Sequence, residues 1–217
     1  MKPEDMKNKN KIILDLCGGT GAWSKPYKDA GYDVRVITLP DYDVKEFAEY
    51  PNPMDGLIRG RNSEIYGILA APPCTEFAVS GARWWKDKDP NLLVEAVEIV
   101  HACLLIIEKS KPKFWALENP VGRLRKIVSQ LGDPKLIFNP CDYGDPYTKR
   151  TCLWGNFNIP KQNPVEPEFV EFTTKKGEKK RMSKIHWNAF RLKPYERMEM
   201  RSKTPAGFAK AFFENNK

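Results

Sequence analysis

Short apolar runs separated by polar turns recur along the chain and predict buried strands. Each run has a length that suits one strand, and they lie at residues 11–16, 33–39, 68–71, 114–117, 135–138 and 151–155. Between Pro90 and about Ser110, apolar residues recur at spacings of three and four, which predicts an amphipathic helix. Strands that alternate with helices are typical of an α/β fold with a mostly parallel sheet.

Polar or reactive side chains follow four of these strands. A glycine-rich turn at 17–21 follows the first, and carboxylates at Asp41 and Asp43 follow the second. Cys74 follows the third after two prolines, and Glu118 ends the fourth. In open α/β sheets, ligands bind beyond the carboxyl ends of the parallel strands. We therefore expect these groups to gather in one site.

The glycine turn lies between a predicted strand and a helix at about 23–30, which is the layout of a nucleotide-type cofactor loop. Glycines let the backbone approach a ligand closely, and a helix amino terminus offers free amides to an anionic group. A purely structural turn remains an alternative. For Asp41 and Asp43, two alternatives likewise remain: they bind ribose hydroxyls, or they stabilise a turn.

Cys74 is a candidate nucleophile. Pro72 and Pro73 cannot continue a strand and hold the backbone extended, which places the thiol on a stiff turn at the sheet edge. Thiols in such positions form covalent intermediates. The alternative is that Cys74 is a small buried apolar residue.

The chain carries a net charge of +8, with a pI of about 9.1, which favours a polyanionic partner such as nucleic acid. One candidate contact is a glycine-hinged closing loop with Ser80, Arg83, Trp84 and Trp85; alternatively, the tryptophans pack on the core. The other is a basic turn at 175–181, which includes Lys179, Lys180 and Arg181 and is interpreted as a hairpin whose tip meets phosphates; alternatively, it is a solvated loop.

The five cysteines are scattered and no C-x-x-C occurs, so neither a disulfide framework nor a metal site is expected. The first residues do not form a signal peptide pattern, and no apolar run reaches membrane length. We therefore expect a cytoplasmic protein without a membrane partner.

Taken together, these motifs resemble those of the cytosine-5 DNA methyltransferase family, in a small form like those of phages and prophages. Five stretches resemble the family's motifs: 15–21 the first motif, 72–74 the nucleophile motif, 118–120 the Glu-Asn-Val motif, 143–150 the Gln-x-Arg-x-Arg region, and 201–205 the last motif.

The resemblance implies a Rossmann-like methyltransferase fold that uses S-adenosylmethionine, with a mixed, mostly parallel sheet and helices on both faces. It implies double-stranded DNA as substrate. The expected division is a catalytic core at 1–155, a small basic recognition-like insertion at 156–200, and a C-terminal helix at 201–217 that completes the core.

The resemblance also implies roles for individual residues. Cys74 would attack carbon 6 of a flipped-out cytosine, and Glu118 would hold ring N3 and the exocyclic amine. Lys149 and Arg150 stand in the region that holds the cytosine carbonyl. The cofactor contacts implied are Asp15, Cys17, Gly18, Gly19, Thr20, Gly21, Trp23, Thr38, Asp43, Pro72, Ser202 and Thr204.

The chain departs from the family pattern at several of these positions. Cys17 stands where the family has phenylalanine, so Trp23 or another aromatic residue would have to pack on the adenine. Thr38 stands where an acid is usual, and Ser202 where asparagine is usual. The short 156–200 segment predicts relaxed or short-sequence specificity, or a partner subunit.

Three alternatives remain at this point. The substrate could be tRNA cytosine, since a small recognition region suits a structured RNA. The Cys74 chemistry could act on an altered pyrimidine or transfer a modified group. The chain could also be a catalytically silent nucleic-acid-binding relative.

Overall fold

The computed structural model describes residues 8–50 and 64–217, and a six-stranded sheet forms its centre. The strands are β1 (Lys11–Leu16), β2 (Asp33–Ile37), β3 (Glu64–Ala70), β4 (Phe114–Pro120), β5 (Leu136–Phe138) and β6 (Thr151–Asn156). Their order is β2-β1-β3-β4-β6-β5. Strands β1 to β4 are parallel, and β6 runs antiparallel to both of its neighbours. The predicted mixed, mostly parallel sheet is confirmed.

Seven α-helices are present in the described ranges: α1 (Lys25–Asp29), α2 (Val44–Glu49), α3 (Pro90–Ser110), α4 (Leu124–Ile127), α5 (Lys184–Ala189), α6 (Pro194–Ser202) and α7 (Ala206–Asn215). Short 3₁₀ turns lie at Val79–Trp84, Ser129–Leu131 and Pro140–Tyr143. Strands β7 (Phe169–Thr173) and β8 (Lys179–Ser183) form a separate two-stranded sheet. The sequence predicts a loop with a short helix over 45–66; α2 lies at the start of this stretch and β3 begins within its end, while residues 51–63 lie outside the described residues.

The sheet has a hydrophobic cluster on each face because side chains alternate along each strand. Ile12 and Leu14 pack in one cluster with Val100 of α3, whereas Ile13 packs in the other with Phe212 of α7. Helices therefore cover both faces, as predicted.

The sequence predicts no apolar run of membrane length, but helix α3 is long and apolar enough to cross a membrane by length and composition alone. It begins as the sequence indicates, with the Asp89 side chain accepting a hydrogen bond from Asn91 N and proline at the first position. Val100, Cys103 and Ile106 are completely buried in the cluster on one face of the sheet. The helix thus packs as a core helix against the sheet.

The sequence predicts one helix over 121–131, and this prediction is wrong: α4 spans four residues and a short 3₁₀ turn follows it. The chain before α4 is drawn into backbone contact with the segment after Cys74. Arg123 N donates to Phe77 O at 2.9 Å, and Val79 N donates to Val121 O at 3.0 Å. A Cβ on Gly122 would lie 1.8 Å from Phe77 O, so only glycine permits this approach.

Helix α7 returns the end of the chain to the sheet. The Phe208 ring stacks on Phe138 with centroids 4.0 Å apart, and the Phe212 ring meets Trp23 edge-on at 5.4 Å. Tyr27 OH donates to Asn216 O at 3.0 Å. The terminal helix thus supplies part of one hydrophobic cluster. The division into segments at 155 and 200 stays a prediction.

Replacement of Phe212 by alanine should lower the free energy of unfolding by about 3–5 kcal/mol, because it removes a completely buried ring. Phe190→Ala is the matched control, since Phe190 is 61% exposed. Urea denaturation of both variants measures the difference. Equal stability of the two variants would contradict the docking of α7.

Candidate active site

The ends of strands β1 to β4 meet at one edge of the sheet. The strand register pairs Leu16 with Ile37 and with Ala70, and Ala70 with Leu117. The residues that follow therefore lie side by side: Cys17, Thr38, Ala71 and Glu118. This is the edge at which the sequence predicts a ligand site.

The glycine turn after β1 folds tightly over the Asp15 side chain. A Cβ on Gly18 would lie 2.3 Å from the Asp15 carboxyl carbon, so the turn closes only with glycine there. Gly19 and Gly21 have left-handed φ values of 54° and 69°, which favour glycine. A Cβ on Gly19 would meet nothing described within 4 Å, so the turn faces open space at that point.

Asp15 is a completely buried carboxylate beneath this turn. Burial raises its pKa to about 6, and hydrogen bonds from Ser24 oppose that rise. Ser24 Oγ donates to Asp15 Oδ2 at 2.5 Å, whereas Oδ1 has no partner among the described residues. Buried polar atoms are generally satisfied, so a donor group of a bound molecule suits this oxygen.

Other predicted cofactor residues fall in different environments. Trp23 is 2% exposed and packs between Phe208 and Phe212, so its ring belongs to the core. Asp43 caps α2, where its Oδ1 accepts from Lys45 N at 2.8 Å. Thr20 is exposed at the glycine turn.

The second strand ends earlier than the apolar run predicts, at Ile37. Thr38 is half-buried at that end, and Leu39 beyond it is 69% exposed. The apolar run from Val34 to Leu39 predicts a longer strand, so the sequence pattern does not indicate that Leu39 is exposed. Leu39 is available to contact the flat ring of a ligand.

Glu118 and Lys149 form the charged centre of the site. Glu118 Oε1 and Lys149 Nζ are 4.0 Å apart, and their side chains are only 17% and 21% exposed. Burial raises the pKa of Glu118, and the Lys149 charge partly offsets that rise. Burial and the carboxylates of Asp145 and Glu118 raise the pKa of Tyr147 to about 12. Glu118 is thus a carboxyl group that can hold a proton.

The half-buried Cys74 thiol lies within electrostatic range of this pair. Burial and the Glu118 charge raise the pKa of Cys74, while Lys149 and Arg201 act in the opposite direction. A neutral Glu118 therefore removes one of the two causes that raise the pKa of Cys74, while burial still raises it. Arg201 belongs to the last sequence motif, but that motif does not indicate a role beside the thiol.

A buried hydrogen bond ties the Cys74 turn to the Glu118 strand. Asn119 Nδ2 donates to Pro72 O at 3.0 Å. Pro72, predicted as a cofactor contact, uses its carbonyl group here. This bond joins the ends of β3 and β4 and so sets the relative positions of Cys74 and Glu118.

The last part of the chain holds the loop that carries Lys149. Lys149 Nζ donates to Arg201 O at 3.1 Å, and Gly207 N donates to Asp145 Oδ2 at 2.8 Å. A Cβ on Gly207 would lie 2.0 Å from Tyr143 O, so α7 begins directly against this loop. The position of Lys149 therefore depends on residues some fifty positions later.

Three residues near this segment have distinct surroundings. Ser202 Oγ donates to Glu199 O at 2.9 Å, which closes the end of α6, and Thr204 is half-buried before α7. Arg150 is exposed, and its backbone carbonyl accepts from Val121 N at 3.0 Å.

His186 on α5 lies within electrostatic range of Lys149 and Arg201, although no sequence motif points to it. Burial and the charges of Arg201 and Lys149 lower the pKa of His186. A neutral imidazole is therefore favoured near the site.

Two cations close the loop that follows Cys74. Lys88 Nζ donates to Glu76 Oε1 at 2.7 Å and to Thr75 O at 3.0 Å. Arg123 Nε donates to Glu76 O at 2.8 Å, and its guanidinium lies 4.3 Å from the Trp85 ring centre. The loop from 75 to 88 is thus held at its base from both sides.

The two adjacent tryptophans of this loop have different environments. Trp84 is 54% exposed and lies against the guanidinium of Arg83 at 4.8 Å, close to the exposed Ser80. Trp85 is half-buried under Arg123. The sequence left two alternatives for these tryptophans, an exposed contact loop or packing on the core. Trp84 fits the first alternative, and Trp85 packs inward.

The three predicted basic contacts Lys179, Lys180 and Arg181 all lie on β8 and are exposed. The structure does not bring them into contact with Cys74 or Glu118. They belong to a separate surface on the two-stranded sheet.

A comparison with curated proteins found similarity to a methyltransferase. The chain is 28% identical over 170 residues to the type II methyltransferase M.DdeI of Desulfomicrobium norvegicum, a match that covers 65% of this chain. It spans about two fifths, 39%, of that relative's length. No family model matches the chain.

A solved structure described as a candidate DNA modification methyltransferase encoded within a prophage (E. coli) is also similar. The TM-score is 0.47 at 18% identity, and the match covers 78% of this chain and 62% of that one.

Glu118→Gln should shift the alkylation profile of Cys74 to lower pH, because it removes a negative charge that disfavours the thiolate. Lys149→Ala should shift it to higher pH. The measurement is the pH dependence of iodoacetamide modification at Cys74, mapped by mass spectrometry, with Glu178→Gln on the hairpin as control. Shifts of the same sign in the two site variants would contradict the described charge arrangement.

Arg123→Ala should speed tryptic cleavage after Arg83 or Lys86 by about fivefold or more. The loss of one hydrogen bond worth about 1 kcal/mol raises the open population by that factor. Arg125→Ala is the control, since Arg125 pairs with Asp133 and is half exposed. If both variants are cleaved at the wild-type rate, Arg123 does not hold the loop.

Proposed function

We propose that this protein is a DNA cytosine-5 methyltransferase that uses S-adenosylmethionine. The observation that carries the proposal is the set formed by the Cys74 thiol, the Glu118 carboxyl group and the Lys149 ammonium at one sheet edge. A glycine turn over a buried carboxylate follows the adjacent strand end. The similarity to a type II methyltransferase supports the same class of reaction.

The glycine turn suits the cofactor. The features that fit are the Asp15 oxygen without a described partner, the closed Gly18 position and the open space at Gly19. The exposed Leu39 beside Thr38 is the apolar contact we assign to the adenine, in place of the buried Trp23. The remaining residues assigned to this site are Cys17, Thr20, Gly21, Ser202 and Thr204. When bound, the cofactor supplies an electrophilic methyl group.

Cys74 acts as the nucleophile. Its thiolate forms a bond to carbon 6 of cytosine, and the displaced electron pair makes carbon 5 nucleophilic. Carbon 5 would take the methyl group as the bond between that group and the donor sulfur breaks, with the bonding electron pair staying on sulfur, and carbon 5 would then lose its proton to a base. The electron pair of that C–H bond restores the ring double bond as the Cys74–carbon 6 bond breaks, so the thiolate is regenerated.

Glu118 assists the attack by holding the pyrimidine edge. Its raised pKa suits a carboxyl group that shares a proton with ring N3, which offsets the charge that develops during the addition. Lys149 lies close enough to Glu118 to hold the neighbouring carbonyl oxygen of the base. Arg150, which is exposed, fits a phosphate contact better than a base contact.

The target base must leave the stack to reach Cys74, at a cost of a few kcal/mol. Trp84 and Arg83 are exposed on the loop that follows the nucleophile, so they are suited to occupy the space the base leaves. The positive net charge supports a polyanionic substrate. Structured RNA is also a polyanion, so the methyl-transfer experiment includes tRNA as a second substrate.

Cys74→Ala should abolish transfer of labelled methyl from S-adenosylmethionine to duplex DNA of mixed sequence, while cofactor binding stays within about twofold. The thiol acts on the base, and the cofactor contacts lie at the glycine turn. Cys141→Ala, at a buried thiol in the Pro140–Tyr143 turn, is the control and should remain active.

Full activity of Cys74→Ala would overturn the covalent mechanism. Label in tRNA alone would change the substrate and keep the chemistry. Absence of transfer to either, with DNA and cofactor both bound, would favour the catalytically silent alternative.

A further inference from the structure

A cavity of about 510 Å³ lies at the end of the sheet opposite to the candidate active site. It opens beside Trp115, the second residue of β4, whereas Glu118 lies near the other end of the same strand. Sites for small ligands occupy about 300–1,000 Å³, so the cavity is large enough to hold one. Its lining residues are distinct from those assigned to the proposed reaction.

Two tryptophans line the cavity from the sheet. Trp154 is the register partner of Leu117, and Trp115 lies two residues before Leu117, so both indoles lie on the same face. Trp154 is 3% exposed, and its Nε1 donates to Gly132 O at 3.1 Å. A Cβ on Gly155 would lie 2.2 Å from Trp115 O, so only glycine permits this close pairing of the strands. The aromatic lining is thus a rigid part of the fold.

The side of the cavity formed by α3 is negative. Leu104 and Glu108 line it from the last two turns of α3, and the carboxyl end of a helix carries partial negative charge. Glu108 is exposed and forms no ion pair within the described ranges. An acidic residue in the last turn opposes the helix dipole, so helix stability does not explain Glu108. Asp133, which pairs with Arg125 at 2.6 Å, is a second carboxylate in the lining.

The cation in the lining, Lys135, is held away from this negative side. Its Nζ donates to Phe157 O at 2.5 Å and lies 4.9 Å from the centre of the Phe157 ring. Phe157 belongs to the hydrophobic cluster on the other face of the sheet. Lys135 therefore contributes its methylene stem to the cavity, and its charge is used elsewhere.

We propose that this cavity binds a guanidinium group carried on an apolar stem. The Glu108 carboxylate pairs with the planar group, which can donate two parallel hydrogen bonds to a carboxylate. Guanidinium is more weakly hydrated than ammonium and stacks on aromatic rings, so it suits a site lined by two indoles. Leu104 and Leu131 line the cavity and contact the stem. The binding site is separate from the proposed reaction.

Calorimetric titration of the full chain with butylguanidinium and with butylurea tests the proposal, since these probes have a similar shape but differ in charge. Butylguanidinium should bind about tenfold more tightly or better, because its hydrogen bonds to Glu108 are charge-assisted. Glu108→Gln should reduce that preference to about twofold or less. Glu98→Gln is the matched control, since Glu98 is a half-exposed acid on the same helix, and it should keep the wild-type affinity.

The two variants remove the same charge from one helix, so a general electrostatic effect would change both equally. Such an equal change, equal affinity for the two probes, or no binding of butylguanidinium at millimolar concentration would each overturn the proposal. The indole N–H signals of Trp115 and Trp154 in NMR spectra should shift on binding, while that of Trp23 should not.

A blocked Gly-Arg-Gly peptide distinguishes the two sources of the group. Tighter binding of the peptide than of butylguanidinium would assign the group to an arginine side chain of a partner protein. Weaker binding would assign it to a free compound, and either order keeps the chemistry of the site. Neither DNA nor S-adenosylmethionine is present in these titrations, so their failure is distinguishable from failure of the proposed reaction.

Discussion

The close approach of the β3 and β4 strand ends is the constraint on which the rest of the site depends. The buried bond from Asn119 Nδ2 to Pro72 O joins the turn that carries Cys74 to the strand that carries Glu118. The contact of Gly122 with the Phe77 backbone extends this junction and allows no side chain. Because the Asn119 side chain is completely buried and both contacts end on backbone groups, the thiol and the carboxyl group are positioned by rigid parts of the fold.

Within that frame, burial and charge act in opposite directions. Burial disfavours both the Cys74 thiolate and the Glu118 carboxylate, and the Glu118 charge further raises the pKa of Cys74. Lys149 and Arg201 offset this repulsion. Loss of the negative charge on Glu118 therefore removes one of the causes that raise the pKa of Cys74.

The end of the chain is part of this arrangement. Arg201 O accepts from Lys149, and Gly207 N donates to Asp145 in the same loop. Phe208 and Phe212 of α7 pack on the sheet face that also contains Trp23. Core packing of the terminal helix thus positions a cation beside Glu118. The β7–β8 hairpin before it packs on α5 through the Phe172 and Trp187 rings, and its Glu171 and Arg181 side chains are exposed.

The sequence alone determined the strands, the long helix and the location of Cys74 and Glu118 at strand ends, because periodicity and proline act over a few residues. Tertiary structure decided which tryptophans are accessible to a ligand or partner. Trp23 is buried by α7 and Trp85 is covered by Arg123, whereas Trp84 stays exposed. It also shortened α4 and placed Lys149 beside Glu118. These outcomes depend on contacts between residues far apart in the chain, and no local pattern encodes such contacts.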